Sequence, residues 1–263
     1  MLIDTHAHIH FDQFRDDLDD VLARAHAAGV EKIITVGCND TDSAQAVAVA
    51  LAYEHVWASV GLHPHDADRG YEGLEEVARL SELEKVIAIG ECGLDNFRSE
   101  TTAEDQERAL RFQIELGLER SLPMIFHVRD AFPQFFAILD EYQAEGVRGL
   151  VHCFTAGVPE LEGALERGLY IALNGIMTFT KDHKQLDAAK QVTLDRLVLE
   201  TDCPFLAPAP LRGNRNEPAN VGLPAKFLDE LRGATLEDPM PHHNAQPRNW
   251  FGIRRQGCPD VHQ

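Results

Sequence analysis

The chain begins with a run in which chemically active side chains occupy every second position. Asp4, His6, His8 and His10 alternate in this way within the first fourteen residues. Alternate residues of an extended strand share one face, so a strand here would present a carboxylate and three imidazoles on one side. These groups are common ligands of divalent cations. The spacing therefore indicates a metal site and leaves open which of the four side chains are ligands.

Residues of the same types follow short apolar segments elsewhere in the chain. They are His63, Glu91, His127, His152, Asn174 and Asp202. Any one of them alone would more often be a cap, a turn or a satisfied core residue. Because the same placement recurs after so many apolar segments, a common site explains the set better than coincidence.

Six of these side chains form a donor set that suits divalent cations. They are His6, His8, Glu91, His127, His152 and Asp202. Six ligands are too many for one catalytic ion, and a carboxylate can bridge two ions through its two oxygens. A site of two ions about 3.5 to 4 Å apart, bridged by Glu91, would activate water and hold an anionic substrate. The implied reaction is hydrolysis, with Mg²⁺, Mn²⁺ or Zn²⁺ as the cofactor.

Eight short, nearly all-apolar segments must position these side chains. They are residues 2–8, 32–37, 56–62, 86–90, 124–126, 149–151, 170–173 and 197–201. The spans between them can each hold a helix, and this rhythm is typical of parallel βα units covered on both sheet faces. Eight units predict an α/β fold, a single-domain (β/α)8 TIM barrel, in which the C-terminal strand ends meet at one rim.

A doubly wound open sheet is the alternative arrangement of such units. It would not need eight strands, and no Gly-rich dinucleotide-binding loop follows the first strand. The barrel is therefore the favoured fold.

Composition limits the classes of function. With 263 residues and 44% hydrophobic content, the chain can bury a large core. No signal-peptide pattern or long apolar run is present, so we expect a cytoplasmic protein with no membrane association and no obligate protein partner. The net charge of −19 argues against a broad surface for duplex DNA. A polyanionic substrate would need bound cations or a small basic loop.

The five cysteines form no CxxC pair, which favours reduced thiols over a structural zinc site. Four of them, Cys38, Cys92, Cys153 and Cys203, each directly follow a residue at a strand end. Because neighbouring strand residues point to opposite faces, we expect these thiols to face the outer helices as small core residues.

Six motifs in order carry a family resemblance. They are His6-x-His8, Gly61-Leu62-His63-Pro64, Gly90-Glu91-Cys92-Gly93-Leu94-Asp95, His127-Val128-Arg129-Asp130, His152-Cys153-Phe154-Thr155 and Glu200-Thr201-Asp202. As a set they resemble the TatD family of metal-dependent deoxyribonucleases in the amidohydrolase superfamily. The resemblance covers about residues 2–222. It implies a TIM barrel, bound divalent metals and 3′–5′ exonuclease hydrolysis of phosphodiester bonds, with single-stranded DNA or DNA 3′ ends as the substrate.

The resemblance also implies roles for individual residues. His6, His8 and Asp202 would hold one ion, His127 and His152 the other, with Glu91 bridging. Glu91 and Asp202 would be catalytic, and Asp202 would take a proton from the attacking water.

Substrate contacts are implied for a second group: His63, Arg129, Arg215, Asn216 and Glu217. His63 and Arg129 match family positions near the scissile phosphate. The other three belong to residues 212–219, which resemble an RNEPA segment of the family. Arg212 and Arg215 would give this loop a local positive charge in an acidic protein.

Two stretches depart from the family pattern. His10 stands where an acidic residue is usual; we expect it in the first loop, in a substrate-side or structural role, whereas Asp4 lies deeper and orients a ligand or fills a polar inner layer. Prolines within residues 237–252 replace a continuous helix, which predicts an irregular C-terminal segment. We expect the barrel domain to span residues 1–253 and a loose tail to span 254–263.

Two other functions stay open. One is an amidohydrolase acting on another ester, an amide or a lactone; such enzymes often carry a carboxylated lysine bridge, where this chain offers Glu91. The other is a non-catalytic metal-binding barrel, which predicts the loss of at least one ligand, and the set has all six.

Overall fold

The computed structural model describes residues 2–233. The predictions for the irregular segment at 237–252, the domain limit at 253 and the tail at 254–263 therefore lie outside the described residues.

Within this range, eight parallel strands form one sheet, with neighbours in the order of the sequence. The strands are β1 (Leu2–Ala7), β2 (Val30–Val36), β3 (Val56–Val60), β4 (Val86–Asp95), β5 (Met124–Arg129), β6 (Gly149–Val151), β7 (Tyr170–Leu173) and β8 (Leu197–Leu199). A helix follows each strand along the chain. The helices are α1 (Leu18–Ala27), α2 (Asp40–Ala52), α3 (Gly70–Leu80), α4 (Ala103–Arg120), α5 (Phe132–Glu141), α6 (Val158–Glu166), α7 (His183–Gln191) and α8 (Gly222–Leu231). The predicted (β/α)8 barrel is confirmed.

The barrel closes where β1 meets the end of β8. Ala7 and Cys203 form a parallel bridge, the amide of Asp202 donates to the carbonyl of His6 at 2.8 Å, and the amide of His8 donates to the carbonyl of Cys203 at 2.7 Å. We call this set of contacts the seam. His6, His8 and Asp202, whose side chains were predicted as metal ligands, therefore also contribute backbone groups to the closure of the barrel.

Two strands are longer than the apolar pattern predicted. β4 was expected to end at Gly90 but continues to Asp95, and β5 was expected to end at residue 126 but continues to Arg129. Gly93 permits the extension because its φ is +152° and a Cβ there would lie 1.9 Å from the carbonyl oxygen of His127. Glu91 and His127 therefore lie within strands. His127 pairs with Gly93, and the amide of Glu91 donates to the carbonyl of Gly37 at 3.0 Å.

The alternating strand residues divide the core into two parts. An inner cluster fills the barrel and contains Ile34, Val36, Ala88, Ile125, Leu150, Ala172 and Val198. A larger outer cluster lies between the strands and the helices. Near the N-terminal strand ends, Trp57 packs on the inner cluster and lies between the ammonium groups of Lys32 and Lys85, at 4.6 and 4.8 Å from its ring centre. The barrel interior is thus a packed core, which leaves the C-terminal rim as the place for a site.

Side-chain caps fix where some of the helices begin. The Asn39 side chain accepts a hydrogen bond from the amide of Asp42 at the start of α2, and the Thr102 side chain accepts one from the amide of Asp105 at the start of α4. Within residues 2–233, no helix is both long and apolar enough to cross a membrane.

Candidate metal centre

A cavity of about 650 Å³ opens at the C-terminal rim of the barrel. We call it the cleft. Its lining includes His8, His63, Glu91, His127, His152 and Asp202. His6 lies just beneath this lining and is fully buried. The structure therefore brings all six predicted metal ligands into one place, although they come from five different strands or strand ends.

Glu91 lies at the centre of the cluster, and its two carboxylate oxygens face different partners. Oε2 is 3.4 Å from His6 Nε2. Oε1 is 2.8 Å from His127 Nδ1, 3.5 Å from His63 Nε2 and 3.6 Å from His152 Nε2. A carboxylate placed in this way has the geometry needed to bridge two cations.

The second part of the cluster is formed by His6, His8 and Asp202. His8 Nε2 lies 3.3 Å from Asp202 Oδ1 and 3.3 Å from His6 Nε2. His8 Nδ1 is 2.8 Å from the carbonyl oxygen of Val36, which can only accept, so in the neutral ring the lone pair is on Nε2. Ligands of a tetrahedral zinc ion lie about 3.4 Å from one another. Lone pairs and a carboxylate at this spacing fit a shared cation.

The pKa shifts of the buried groups also favour a cation-binding site. Burial acts to raise the pKa of Glu91, but its electrostatic interactions with the imidazoles of His152, His63 and His6 and its hydrogen bond with His127 hold it well below its ordinary value. Burial acts to lower the pKa of His152, but the charges of Glu200 and Glu91 raise it to about 9. The buried carboxylates thus require nearby positive charge, which either protonated imidazoles or bound cations can provide.

Among residues 2–233, four overlapping groups of side chains have ligand atoms that all lie within 4.8 Å of one another. They are His6 with His8 and Glu91, His6 with His152 and Asp202, His63 with Glu91 and His127, and His152 with Cys153 and Glu200. The donor set is rich in imidazole and carboxylate, and the buried Nδ1 of His6 has no hydrogen-bond partner among the described residues. These residues therefore fit divalent cations.

His63 has a defined proton position. Its Nδ1 accepts a hydrogen bond from the backbone amide of His65 at 3.1 Å, and burial lowers its pKa to about 3. The neutral ring therefore carries its proton on Nε2, which faces Glu91 and the cleft. In this tautomer His63 is a hydrogen-bond donor rather than a metal ligand.

Arg129 also lines the cleft, and its guanidinium lies 4.1 Å from the centre of the Phe97 ring. Arg212 lies 3.8 Å from the ring centre of Phe179, another lining residue. Two arginine–phenylalanine pairs therefore flank the acidic floor of the cleft.

The other predicted substrate contacts have partners within the protein and are not among the cleft-lining residues. Arg215 binds Asp17 at 2.6 Å and Glu217 at 2.9 Å, and Glu217 also binds Arg24 at 2.8 Å. Asn216 is fully buried and donates to the carbonyl of Thr201 at 2.9 Å. A substrate role for Arg215, Asn216 and Glu217 stays a prediction.

The remaining residues of the opening run bind other protein groups. Asp4 is buried at the level below the ligands and accepts hydrogen bonds from the amide of Thr201 at 2.9 Å and from its hydroxyl at 2.5 Å. His10 lies after β1, with Nδ1 2.7 Å from Thr35 Oγ1 and Nε2 2.9 Å from Asp42 Oδ1. Asp4 thus fixes the residue next to Asp202, and both ring nitrogens of His10 have protein partners.

The prediction for the cysteines is wrong for two of the four. Cys38 and Cys153 line the cleft, and Cys38 Sγ lies 3.9 Å from both His8 Nδ1 and Glu91 Oε2. Both residues come after their strands have ended, so strand alternation no longer sets their direction, and Cys153 has a φ of +47°. Cys92 and Cys203 are buried in the outer core, as expected.

Two carboxylates of the site were missed by the sequence analysis. Asp95 Oδ2 lies 3.0 Å from His127 Nε2 and 3.0 Å from His65 Nε2. Glu200 Oε1 lies 2.9 Å from His152 Nδ1. Carboxylates on the far nitrogen of an imidazole fix its orientation and raise its basicity. The sequence did carry a signal for both. Asp95 lies four residues after Glu91, and Glu200 lies two residues before Asp202, and residues an even number apart share one face of a strand.

A parallel eight-stranded barrel with histidines and carboxylates at its C-terminal rim defines a class of metal-dependent hydrolases. Residues 3–252 match the family described as TatD related DNase. Over 239 residues the chain is 40% identical to a metal-dependent hydrolase of Bacillus subtilis, YabD, covering 90% of this chain and 94% of that protein.

A second relative is the 3′-5′ ssDNA/RNA exonuclease TatD of Salmonella typhimurium, with 36% identity over 87% of this chain and 89% of that protein. The crystal structure of the TatD homologue YJJV of Escherichia coli K12 superimposes with a TM-score of 0.89 at 28% identity, covering 96% of this chain and 98% of that chain. The chain therefore belongs to the TatD-related DNase family and is a metal-dependent hydrolase.

Proposed function

We propose that this chain is a nuclease that hydrolyses phosphodiester bonds of single-stranded DNA or RNA from the 3′ end. The name of the Salmonella relative supports this substrate and polarity. The observation that carries the proposal is Glu91, whose two carboxylate oxygens face two separate histidine groups. A cytoplasmic location belongs to the same proposal.

Two cations would be shared among the six ligands. His6, His8 and Asp202 would hold one, His127 and His152 the other, and Glu91 both. Their distances to one another support this division, since Glu91 Oε2 faces His6 and Oε1 faces His127 and His152. An imidazole-rich set favours Zn²⁺ or Mn²⁺, whereas phosphate chemistry commonly uses Mg²⁺, so all three ions belong in the test.

The chemistry divides between the cations and the protein. When bound, divalent cations supply positive charge to the phosphoryl oxygens and lower the pKa of water. Asp202 accepts the proton of the attacking water: burial acts to raise its pKa, but the hydrogen bond with His8 and the charges of His152 and His6 lower it, so the carboxylate is ionised. His63 donates a hydrogen bond from its Nε2–H to a phosphate oxygen, and Arg129 adds positive charge at the cleft.

The proposal is tested with single-stranded oligonucleotides labelled at the 3′ or the 5′ end. We expect a 3′ label to be released at once and a 5′ label to appear in a ladder of shortening products. EDTA should stop cleavage, and addition of Mg²⁺, Mn²⁺ or Zn²⁺ in turn should restore it to different extents. Products that show cleavage from the 5′ end would contradict the proposed 3′ polarity but not the nuclease activity.

The role of Glu91 is tested by Glu91→Gln, which keeps the shape and removes the charge. We expect less bound metal by elemental analysis and a loss of activity of at least about a hundredfold, because even partners outside the ligand set cost 10- to 100-fold. Glu162→Gln, the same change at an exposed site on α6, is the control and should behave as wild type.

The alternatives give different results in the same assays. Metal-dependent hydrolysis of an ester, an amide or a lactone without any cleavage of nucleic acid would support another amidohydrolase. Bound metal without any hydrolysis would support a non-catalytic barrel. Glu91→Gln with unchanged metal content would refute the bridging role.

A further inference from the structure

The cleft continues into a second cavity of about 570 Å³. The two cavities share Val128, Arg129, Thr155 and Gln185 in their linings. The volume of the second cavity lies in the range of ordinary ligand-binding sites. The four groups of candidate metal ligands within residues 2–233 contribute none of the lining residues of the second cavity. The second cavity therefore extends the site without repeating its metal chemistry.

An exposed aromatic ring lies at the wall of this second cavity. Phe97 is 50% exposed, although it is a large apolar residue. Its ring centre is 4.1 Å from the guanidinium of Arg129 and 5.0 Å from that of Arg98. Nucleic-acid bases stack both on aromatic rings and on guanidinium planes. The Phe97–Arg129 pair therefore offers a flat surface of the kind on which a base stacks.

Within residues 2–233, the cations around the second cavity have no acidic partners. Among the described residues, no carboxylate oxygen lies within 4.0 Å of the side-chain nitrogens of Arg98, Arg129 or Lys184. Elsewhere on the surface, arginines pair with acids, as Arg69 does with Asp40 and Arg111 with Glu141. In a chain with a net charge of −19, unpaired cations at one place indicate where a polyanion can bind.

The same lining also contains three acidic residues, Asp130, Glu160 and Asp182, and two of them are engaged with the backbone. Glu160 Oε2 accepts a hydrogen bond from the amide of Gly157 at 3.0 Å, and Asp182 Oδ1 accepts one from the amide of Lys184 at 2.9 Å. These contacts hold both carboxylates at helix starts. They leave the Lys184 side chain free to meet a phosphate.

Gln185 lies at the junction of the two cavities with an unmet hydrogen-bonding group. Its side-chain oxygen is buried and has no partner among residues 2–233. A buried acceptor without a donor is costly to the protein. The exocyclic amine of adenine, cytosine or guanine is a donor of the type that this oxygen lacks.

From these features, and resting on the nuclease function proposed above, we propose that the second cavity binds the penultimate nucleotide of a single strand. The base of that nucleotide stacks on the Phe97–Arg129 pair, its edge meets Gln185, and its phosphate meets Lys184. This subsite would favour single strands, because a base must be unpaired to enter it.

The experiment compares substrates of two lengths in wild type and Phe97→Ala. The ratio of kcat/KM for an octanucleotide to that for the p-nitrophenyl ester of thymidine 5′-phosphate, which has no penultimate nucleotide, should fall by about tenfold or more, the size expected from the loss of one stacked base. Phe97→Trp should restore the ratio. The control is Tyr71→Ala, which removes another exposed aromatic ring that faces an arginine, Arg108 at 5.8 Å, at a site away from the cleft. It should leave the ratio unchanged.

A substrate lacking the penultimate base makes the test specific. An abasic nucleotide at that position should lower kcat/KM in wild type and have little further effect in Phe97→Ala, because both changes remove the same contact. Independent, additive losses would overturn the subsite. So would an unchanged length ratio in Phe97→Ala.

The two proposals fail in different ways. If wild type cleaves single strands but Phe97→Ala retains the length ratio and the abasic effect, the subsite is refuted and the nuclease function stands. If wild type cleaves no oligonucleotide with any of the three metal ions, the nuclease function is refuted and the subsite with it.

Discussion

Asp95 shows how a single carboxylate can organise the ligands around it. It is almost fully buried and lies 3.0 Å from a ring nitrogen of both His127 and His65. Burial acts to raise its pKa, but the hydrogen bonds from His127 and from the amides of Arg98 and Phe97 hold it well below its ordinary value. The ionised group therefore fixes the ring of His127 with Nδ1 toward Glu91.

We predict that Asp95→Asn lowers metal affinity by about 10- to 100-fold, because an amide is a weaker acceptor and leaves the His127 ring less well oriented. Titration of metal-free protein against a competing chelator measures the change. Asp16→Asn, at an exposed position on the approach to α1, is the matched control and should match wild type. Equal affinity in Asp95→Asn and wild type would contradict a positioning role.

For single residues, the sequence predicted the cluster of candidate ligands but not the carboxylates that contact and orient the ligand imidazoles. His6, Glu91 and Asp202 could be found because each follows or ends an apolar segment. Asp95 and Glu200 have the even spacing of a shared strand face, but that spacing fixes the direction of a side chain only where the strand continues, and the apolar pattern did not show how far each strand continues. Cys38 and Cys153 were misassigned for the same reason, since strand alternation does not apply beyond a strand end.

The loop after β8 is held to α1 by a chain of ion pairs. Arg215 binds Asp17, just before α1, and Glu217, which in turn binds Arg24 within α1. The guanidinium of Arg215 also lies 4.7 Å from the centre of the Phe14 ring. These contacts join the first and last βα units at the side of the seam.

We predict that Arg215→Ala lowers Tm by about 2 to 4 °C, because it removes several contacts of one network, and leaves KM for oligonucleotides unchanged. Arg15→Ala removes one exposed pair with Asp12 and serves as the control, with no shift expected. Differential scanning fluorimetry and steady-state kinetics separate the two effects. A raised KM at an unchanged Tm would instead support the substrate role that the RNEPA resemblance implies.

The apolar segments correctly predicted the number and order of the strands, but they did not predict the lengths of β4 and β5. An apolar run marks only the part of a strand that is buried on both faces. β4 and β5 extend past that part, where Glu91, Asp95 and His127 face the cleft. The extension depends on Gly93, whose lack of a side chain lets the two backbones approach.

The whole molecule concentrates buried negative charge at one end of the barrel. Glu91, Glu200 and Asp202 lie within the cluster, and the positive groups nearest to them are imidazoles. In the metal-free protein, the pKa of His152 is about 9, against an ordinary value of 6.5. The pKa of Asp4 is raised to about 8, chiefly by burial.

These shifts fix how stability depends on pH. Both groups hold their protons more tightly in the folded state, so the stability that they contribute is lost as pH rises through their folded pKa values. The contribution of His152 to stability is lost between pH 6.5 and about pH 9, and the contribution of Asp4 is lost by about pH 8. If His152 binds a cation as proposed, the cation would replace its proton and remove its share of this dependence.

We therefore predict that the Tm of EDTA-treated protein falls as pH rises from about 6.5 to about 8.5, and that the Tm of metal-loaded protein falls less. The gap between the two curves should widen across this range. Thermal unfolding followed in parallel buffers, with and without metal, measures it. Parallel curves would show that His152 does not exchange its proton for a cation.

The seam has a consequence for protein synthesis. His6 and His8 emerge from the ribosome early, whereas Asp202 and Cys203, which bind their backbones, are made close to the end of the barrel. A chain synthesised only as far as β7 lacks both a ligand and the partner that closes the cylinder. The candidate metal centre can therefore be completed only after β8 and the residues that follow it have been synthesised.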